Sequence, residues 1–546
     1  MLELDKILEK CGDRHRLQTI MLLLFCVINL LSAMHYYSQT IISFVPKYWC
    51  AEDAIATEDY EPFVPIQSSC ISLHNDSSQS CQKFHYEYFM GYESLTSELN
   101  WICDDAWKLT LGQSMFFVGS VVGSLVFGIL ADMVGRLPIL IIANMVAMLG
   151  NILTIFGTDL VSFSFFRFIS GLATDSNFVM MYILVMEYLR PSLRTIGLSI
   201  CIGFFYCLGS IAAPWIAVLM QSWRGFLMAT SIPFVMIPLF YFIVPESVQW
   251  LISKQKYVQA VECLRRVAKI NGKTVDDAAF GEFIEECKRS QMLQPKAKVE
   301  PNLLGLFASP RLRRNTLILF FKSMVITLCY DAVSRNVQGL GISPFVMFSL
   351  SATTILPACL LLIALQDRIG RKAMASMSLL LSGIFISCTG ALLFRSSVEN
   401  SSDQNVTLVV ILSVIGRFGV TVAYNSGAQY ATELIPTCVR GQGVAAVHVM
   451  GYAFTFFSSY ILHTRQLFSP LPEIILGFIS LVGAGLCLLL PETLNRTLPT
   501  TLKDGENFGK NDRWFMFSFM EKRTQSVDTL TPSVAPSSHP DNSAYF

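Results

Sequence analysis

Four ionisable side chains interrupt long apolar stretches of this sequence. His35, Asp175, Lys322 and Arg417 each lie inside such a stretch rather than at its edge. An ionised group in a hydrocarbon environment is costly, so residues of this kind usually face a partner, a ligand or a water-filled cavity. They indicate ion pairing and ligand binding rather than covalent chemistry. His35 is also a candidate for proton exchange, because imidazole titrates near neutral pH; a satisfied polar contact is the alternative.

Aromatic side chains accompany these charges at helical spacing. Phe178 and Tyr182 follow Asp175 by three and seven residues, which places all three on one face of a helix. Aromatic faces bind organic cations through cation–π contacts and stack on planar anions. The complete set of candidate ligand-binding residues is His35, Tyr36, Asp175, Phe178, Tyr182, Tyr206, Lys322, Tyr330, Arg417, Tyr424 and Tyr452.

Charged motifs recur twice along the chain, in the same order. There are three such motifs in each copy. The first has an Asp and an Arg four residues apart with a glycine between them, the second has a Glu followed by an Arg, and the third is a Pro-Glu pair after an apolar run. This repetition predicts two related halves. Acid–Arg pairs form charge-assisted hydrogen bonds, so we expect them to act as a gate at one membrane face; merely satisfying topology is the alternative. The predicted gate residues are Asp132, Arg136, Glu187, Arg194, Glu246, Asp367, Arg371, Glu433, Arg440 and Glu492.

Membrane-spanning helices are needed to position these residues. The chain is 53% hydrophobic and only 15% charged, against about 25% charged in ordinary soluble domains. Twelve apolar stretches are long enough to cross a bilayer, at about 17–43, 109–131, 138–157, 160–187, 195–219, 224–243, 315–335, 343–366, 373–395, 406–430, 441–463 and 472–490. The sequence therefore predicts an all-α membrane protein of two six-helix halves.

Loop charges predict the orientation in the membrane. Lys and Arg concentrate in the loops of one face, which the positive-inside rule assigns to the cytoplasm. This makes the N-terminal segment 1–16, the central segment 244–314 and the tail 491–546 cytoplasmic. The halves are 17–243 and 315–490, and the tail is expected to be mostly disordered because it is rich in Ser, Thr and Pro.

The predicted extracellular loop 45–108 contains four cysteines. Cys50, Cys70, Cys81 and Cys103 suggest two disulfides, with three pairings open. Candidate glycosylation sites lie at Asn75 in this loop and at Asn400 and Asn405 in a later one. Both signals agree with the orientation drawn from the charges.

At the level of motifs the chain resembles the organic cation and anion transporters (solute carrier 22) of the major facilitator superfamily, the insect organic-cation-transporter-like members most. The resemblance is carried by the cysteine-containing loop and by Arg167-Phe-Ile-Ser-Gly171, Pro245-Glu-Ser-Val-Gln-Trp250, Gly416-Arg417-Phe-Gly419 and Asp504-Gly-Glu-Asn-Phe-Gly509. The chain departs from the family pattern at Leu137, Gln249 and Tyr452, the last standing where the family's charge-selecting residue is expected.

This resemblance implies a secondary-active or facilitative carrier of small organic ions that works by alternating access in the plasma membrane. A cation or zwitterion is favoured over an anion as the substrate. Asp175 and Lys322, one from each half, are expected to face each other across the cavity, to pair when it is empty and to separate when a zwitterion binds. The alternatives are a permanent buried pair, or neutralisation of Asp175 by Arg167 or Arg417. A sugar-type facilitator and a non-transporting sensor or scaffold remain alternatives. No enzymatic activity, cofactor, metal or nucleic-acid partner is expected, and we expect a monomer; whether a proton or sodium ion is coupled stays open.

Overall fold

Among the residues that the structure describes, twelve helices are long and apolar enough to cross a membrane. The computed structural model describes residues 2–12, 15–50, 70–74, 77–81, 83–189, 201–293, 303–399, 405–494, 496, 498–510 and 517. Spans 1 to 6, the first half, are Arg16–Ile42, Cys103–Val134, Arg136–Ile155, Leu160–Tyr188, Ile202–Met220 and Trp223–Ile243. Spans 7 to 12, the second half, are Pro310–Arg335, Pro344–Ile369, Arg371–Val398, Val406–Leu434, Thr437–Gln466 and Leu471–Leu488.

Span 4 is interrupted near the middle of the membrane. Its two helical pieces, Leu160–Leu172 and Ser176–Tyr188, are joined by a turn that ends at Asp175. Irregular backbone at membrane depth is tolerated only where protein buries it or where it lines a water-filled cavity. The break therefore places a carboxylate at a position suited to ligand binding.

Spans 5, 6 and 8 are also irregular. Span 5 begins with a π-helical turn, Ile202–Tyr206, before Cys207–Met220. Span 6 consists of Trp223–Ser231, the 3-10 segment Ile232–Leu239 and Phe240–Ile243, and span 8 of Pro344–Thr353 and Ile355–Ile369. Prolines at 233 and 238 remove backbone donors from span 6, which accounts for its 3-10 geometry.

The loop between spans 1 and 2 forms a small disulfide-bonded layer on one side of the membrane, the disulfide side. Strands β1 (Lys47–Cys50) and β4 (Phe84–Glu87) pair antiparallel, as do β2 (Ile71–His74) and β3 (Ser77–Ser80). The bridges join Cys50 to Cys81 and Cys70 to Cys103, which selects one of the three pairings left open by the sequence. Both predicted disulfides are thus present.

A carboxylate fastens this layer to the first half. The short helix Leu95–Glu98 ends at Glu98, which accepts hydrogen bonds from Trp223 Nε1 at 2.6 Å and Arg224 Nη2 at 2.5 Å. Partial burial raises the pKa of Glu98, but these hydrogen bonds outweigh it, so the pKa lies below its ordinary value. The layer is therefore expected to move with spans 1 to 6.

Helices outside the membrane on the opposite side, the basic rim, divide between the two halves. The amphipathic helix Leu2–Cys11 packs on Tyr257–Ile270 and Asp277–Leu293, which follow Val248–Ser253. Asn271 joins them to span 1 by accepting from Leu17 N at 3.0 Å and donating to Gly12 O at 2.6 Å.

The second half has a cover of its own. Helix Leu502–Asn507 presents Glu506 to the start of span 7, where it accepts from Ser309 Oγ at 2.5 Å and Leu312 N at 2.8 Å. These hydrogen bonds, the Ser309 one foremost, lower the pKa of Glu506. The 3-10 segment Leu303–Phe307 packs beside them.

Candidate functional site

Asp175 and Tyr452 meet between the two halves. The Tyr452 hydroxyl, on span 11, donates a hydrogen bond of 3.0 Å to Asp175 Oδ1 at the break in span 4. Both side chains are half-buried, so neither is sealed inside its own half. A carboxylate held by a neutral hydroxyl keeps its charge available to a ligand, which makes this pair the centre of the candidate site.

Arg417 gathers a group of tyrosines beside this pair. Its Nη2 donates to Tyr37 Oη at 3.1 Å and its Nη1 to the Tyr330 carbonyl at 2.9 Å. The guanidinium lies 4.4 Å from the centre of the Tyr330 ring, and that ring stacks on Tyr424 with centroids 4.2 Å apart. Tyr206 contacts Tyr37 edge-on at 6.1 Å. Four predicted residues are thus brought together, joined by Tyr37, which the sequence analysis missed.

Phe178 and Tyr182 form an aromatic wall on the first half. Both are half-buried, their ring centroids lie 6.3 Å apart, and each is 6.2–6.3 Å from the fully buried Phe25. The helical spacing from Asp175 places these rings on the carboxylate's side of span 4. The wall continues the candidate site toward the basic rim.

His35 does not lie on a cavity wall. It is 1% exposed and packs between spans 1, 3 and 4, with Nε2 at 3.1 Å from the Ser170 carbonyl and Nδ1 at 3.1 Å from Asn151 Nδ2. The amide can only donate and the carbonyl can only accept, so a neutral ring protonated on Nε2 satisfies both contacts. His35 therefore makes the satisfied polar contact that was the alternative, and it is not part of the candidate site.

Lys322 does not face Asp175 either. Its ammonium group donates to the Gly427 carbonyl at 2.9 Å and lies 5.3 Å from the centre of the Tyr430 ring, and the residue is 1% exposed. These partners all belong to the second half. The expected ion pair is absent in this conformation, because span 7 is rotated so that Lys322 points at span 10.

A group of four side chains that the sequence analysis largely missed joins the halves on the disulfide side. We call Tyr36, Gln113, Asp331 and Arg335 the span 7 latch. Tyr36 Oη donates to Asp331 Oδ1 at 2.6 Å, and Arg335 Nη2 donates to Gln113 Oε1 at 2.5 Å. Asp331 and Arg335 form an ion pair at 3.1 Å whose side chains are 0% and 2% exposed. Only Tyr36 had been singled out, as a ligand-binding residue.

Further contacts close the same side of the membrane. The Arg335 guanidinium of the second half lies 5.5 Å from the centre of the Phe117 ring of the first half. Within the second half, Ser458 Oγ donates to Asp331 Oδ2 at 2.5 Å and so holds the carboxylate in place. Above them, Phe345 at the start of span 8 packs against Phe44 and Tyr92 with centroids 4.8 and 5.2 Å away. The disulfide side is therefore shut by polar and aromatic contacts between the halves.

The gate motifs of the first half form a network at the basic rim. Arg136 Nη1 pairs with Asp132 at 2.7 Å, and Glu246 accepts from the backbone nitrogens of Arg136 and Leu137 at 2.9 and 3.2 Å. Glu187 accepts from Ser247 Oγ at 2.6 Å. Arg194 lies outside the described residues.

The second half repeats this arrangement. Arg371 pairs with Asp367 at 3.0 Å and with Glu433 at 3.1 Å, and Glu492 accepts from Arg371 N at 3.0 Å. Arg440 donates to the Ile435 carbonyl at 3.2 Å. Among the described contacts of the gate residues, each joins groups of the same half. In this conformation the rim networks therefore brace each half rather than clamp one half to the other.

The rim turns depend on glycine, and this gives a first prediction. Gly135 and Gly370 have φ of +125° and +102°, and a Cβ at either would collide with the carboxylate of Glu246 or Glu492. Left-handed backbone costs an L-residue about 1–2 kcal/mol even without a collision. We expect Gly370→Ala to lower the thermal unfolding temperature and the yield of monodisperse protein on size-exclusion chromatography. Gly128→Ala is the matched control, because nothing lies within 4 Å of its Cβ position; equal behaviour of the two variants would contradict the prediction.

Of the predicted glycosylation sites, Asn405 alone lies among the described residues. Its side chain is exposed and caps the start of span 10 by accepting from Leu408 N at 3.3 Å. Asn75 and Asn400 lie outside the described residues. Glycosylation at all three stays a prediction.

Comparison with known proteins agrees with this architecture. The family described as "Sugar (and other) transporter" matches residues 68–501. The Drosophila melanogaster organic cation transporter protein is 27% identical, covering 88% of this chain and 86% of that protein. The Drosophila organic cation transporter-like protein is 26% identical over 93% of both, and human solute carrier family 22 member 2 is 26% identical over 92% of this chain and 95% of that protein.

Solved structures of the bacterial proton:xylose symporter XylE share the fold. An inward-open form aligns with a TM-score of 0.58 at 16% identity, over 89% of this chain and 99% of that one. A form bound to a bromo-deoxyglucose aligns with a TM-score of 0.57 at 15% identity. The predicted twelve-helix major facilitator fold is confirmed, and so is the prediction of a transporter rather than an enzyme. The chain belongs to the sugar (and other) transporter family and is a multi-pass membrane transporter.

Proposed function

We propose that this protein carries small organic ions, cations or zwitterions in preference to anions, by alternating access. The observation that carries the proposal is the half-buried Asp175 carboxylate, which is held between the halves by Tyr452 and has no ion-pair partner among the described residues. Phe178, Tyr182 and Tyr424 supply aromatic faces around it. A carboxylate with aromatic faces suits an ammonium group through Coulomb attraction and cation–π contact. The names of the similar organic cation transporters support the same substrate class.

The places where the halves touch support the proposed transport cycle. In this conformation the span 7 latch joins the halves on the disulfide side, whereas the rim networks leave each half braced separately. Rocking the halves about the central site would release the latch and bring the rims together. Substrate at Asp175 would replace the Tyr452 hydrogen bond, which links binding to the position of span 11.

The orientation we propose places the basic rim in the cytoplasm and the disulfide layer outside the cell, in the plasma membrane. The Lys and Arg of the rim loops favour this arrangement, and disulfides persist in an oxidising environment. One chain provides both walls of the site, so a monomer suffices for transport.

An uptake panel tests the proposed function. Cells expressing the protein would be given radiolabelled quaternary ammonium ions, zwitterionic betaines, aromatic carboxylates and hexoses. We expect saturable uptake of the first two classes, accelerated by unlabelled substrate on the opposite side. Uptake of hexose alone would favour a sugar facilitator, and ligand binding without flux would favour a sensor; either result would overturn the proposal.

A further inference from the structure

A small cavity lies within the second half, near the disulfide side and apart from the central site. It has a volume of about 20 Å³ and is lined from spans 7, 8, 9, 10 and 12 and the residue that follows span 7. Its polar lining residues are Asn336, Ser351, Thr389, Ser413 and Glu473. One water-sized particle needs roughly 10–15 Å³, so the cavity admits a water molecule or a bare ion and excludes an organic substrate.

Glu473 provides the cavity with a carboxylate oxygen that lacks a partner. The residue is 1% exposed. Its Oε1 accepts from Arg465 Nη2 at 2.5 Å and Asn336 Nδ2 at 3.1 Å, whereas the buried Oε2 accepts no hydrogen bond from the described residues. Leaving a buried charged acceptor unsatisfied is costly. A ligand that supplies positive charge to Oε2 would remove that cost.

Two hydroxyl oxygens that line the cavity have lone pairs available for a ligand. Thr389 Oγ1 donates to the Phe385 carbonyl at 3.0 Å, and Ser413 Oγ donates to the Val409 carbonyl at 2.8 Å. Since each proton is already used on the backbone, the oxygen lone pairs remain for an electropositive ligand. The cavity thus combines one carboxylate oxygen with hydroxyl oxygens and no second acid.

We propose that this cavity binds a sodium ion. Oxygen-only ligands select a hard cation, and Ca²⁺ or Mg²⁺ would call for a larger or more strictly octahedral set of oxygens than lines this cavity. Arg465 neutralises part of the Glu473 charge, which also disfavours a divalent ion. The ion would bridge spans 9, 10 and 12 through Thr389, Ser413 and Glu473.

Ion binding at this place would be linked to the span 7 latch. Asn336, which donates to Glu473, directly follows Arg335 of the latch. An ion that holds Glu473 and Asn336 in place therefore stabilises the arrangement in which the disulfide side is closed. By thermodynamic linkage, closure of that side would in turn raise the affinity for the ion.

The test measures binding without transport. Purified full-length protein in detergent would be unfolded thermally while NaCl replaces KCl at constant ionic strength. KCl is used as the balancing salt because an organic cation could itself bind at the central site. We expect the unfolding temperature to rise saturably with Na⁺, as it does for any ligand of the native state, and not with K⁺. Thr389→Val should weaken Na⁺ binding and so raise the half-saturating Na⁺ concentration about tenfold, which corresponds to a loss of roughly 1.4 kcal/mol of binding free energy.

Thr353→Val is the matched control, because Thr353 Oγ1 makes the same kind of backbone hydrogen bond, to Leu350, on an exposed surface. It should respond to Na⁺ as the wild type does. Glu473→Gln should abolish the response; if that variant fails to fold because Arg465 loses its partner, Thr389→Val decides the question. Absence of Na⁺-specific stabilisation, or an unchanged response in Thr389→Val, would overturn the sodium site while leaving the proposed function standing.

Discussion

Arg335→Met is expected to reduce substrate uptake by more than about tenfold at equal amounts of protein in the membrane, because removing one partner of a buried ion pair costs about 3–5 kcal/mol. The substitution leaves Asp331, whose side chain is 0% exposed, without its ion-pair partner. It also removes the hydrogen bond to Gln113 that joins the halves. The conformation closed on the disulfide side should therefore become rare. The measurement is the initial rate of uptake, normalised to surface protein.

Two further variants separate the latch from a general loss of charge. The double variant Asp331→Asn with Arg335→Met should recover part of the uptake, since no buried charge is then left alone. Arg265→Met removes an arginine from an exposed pair with Asp277, whose side chains are 56% and 79% exposed, and should behave as the wild type. Wild-type uptake by Arg335→Met would show that the latch has no part in the cycle.

Asp175→Asn is expected to abolish saturable uptake of quaternary ammonium ions. The amide retains the shape and can still accept a hydrogen bond from Tyr452, but it cannot neutralise a cation. Tyr452→Phe should have a smaller effect, a few-fold change in KM, because the charge of Asp175 survives and the substrate replaces the Tyr452 hydrogen bond when it binds. Concentration dependence of uptake in both variants distinguishes the two roles.

Asp159→Asn provides the control for Asp175. Asp159 caps the start of span 4 by accepting from Val161 N and Ser162 N at 3.0 and 3.1 Å, and Asn caps helices about as well as Asp. Its uptake should equal that of the wild type. If Asp175→Asn kept the wild-type KM and maximal rate for cations, Asp175 would not bind substrate and the charge preference proposed here would lose its support.

The architecture could be predicted from hydropathy and from the repeated motifs, because both signals are spread over whole helices rather than single residues. Twelve apolar runs and two copies of each gate motif left little freedom in the fold. The rotation of each helix about its axis is a finer property. The side chains of Lys322 and His35 each point into their own half rather than into the cavity. The packing of neighbouring spans sets the rotation of the helix and outweighs the preference of an ionisable group for the cavity.

The span 7 latch shows what a pattern of charges alone conceals. Asp331 and Arg335 lie at the end of an apolar run, where charges ordinarily mark the membrane boundary. Their spacing of four residues was the available signal, since it predicts a pair on one helix face. That the pair is buried against Tyr36 and Gln113 depends on how the two halves meet, which no single span encodes.

The division of the extramembrane helices has a mechanical consequence. Helices Tyr257–Ile270 and Asp277–Leu293 grip the first half through Asn271, whereas Leu502–Asn507 grips the second half through Glu506. Each half can thus tilt together with the extramembrane helices that are attached to it. The contacts that must break in one tilt are the hydrogen bonds and aromatic contacts between the halves, so substitutions there should change the rate of transport.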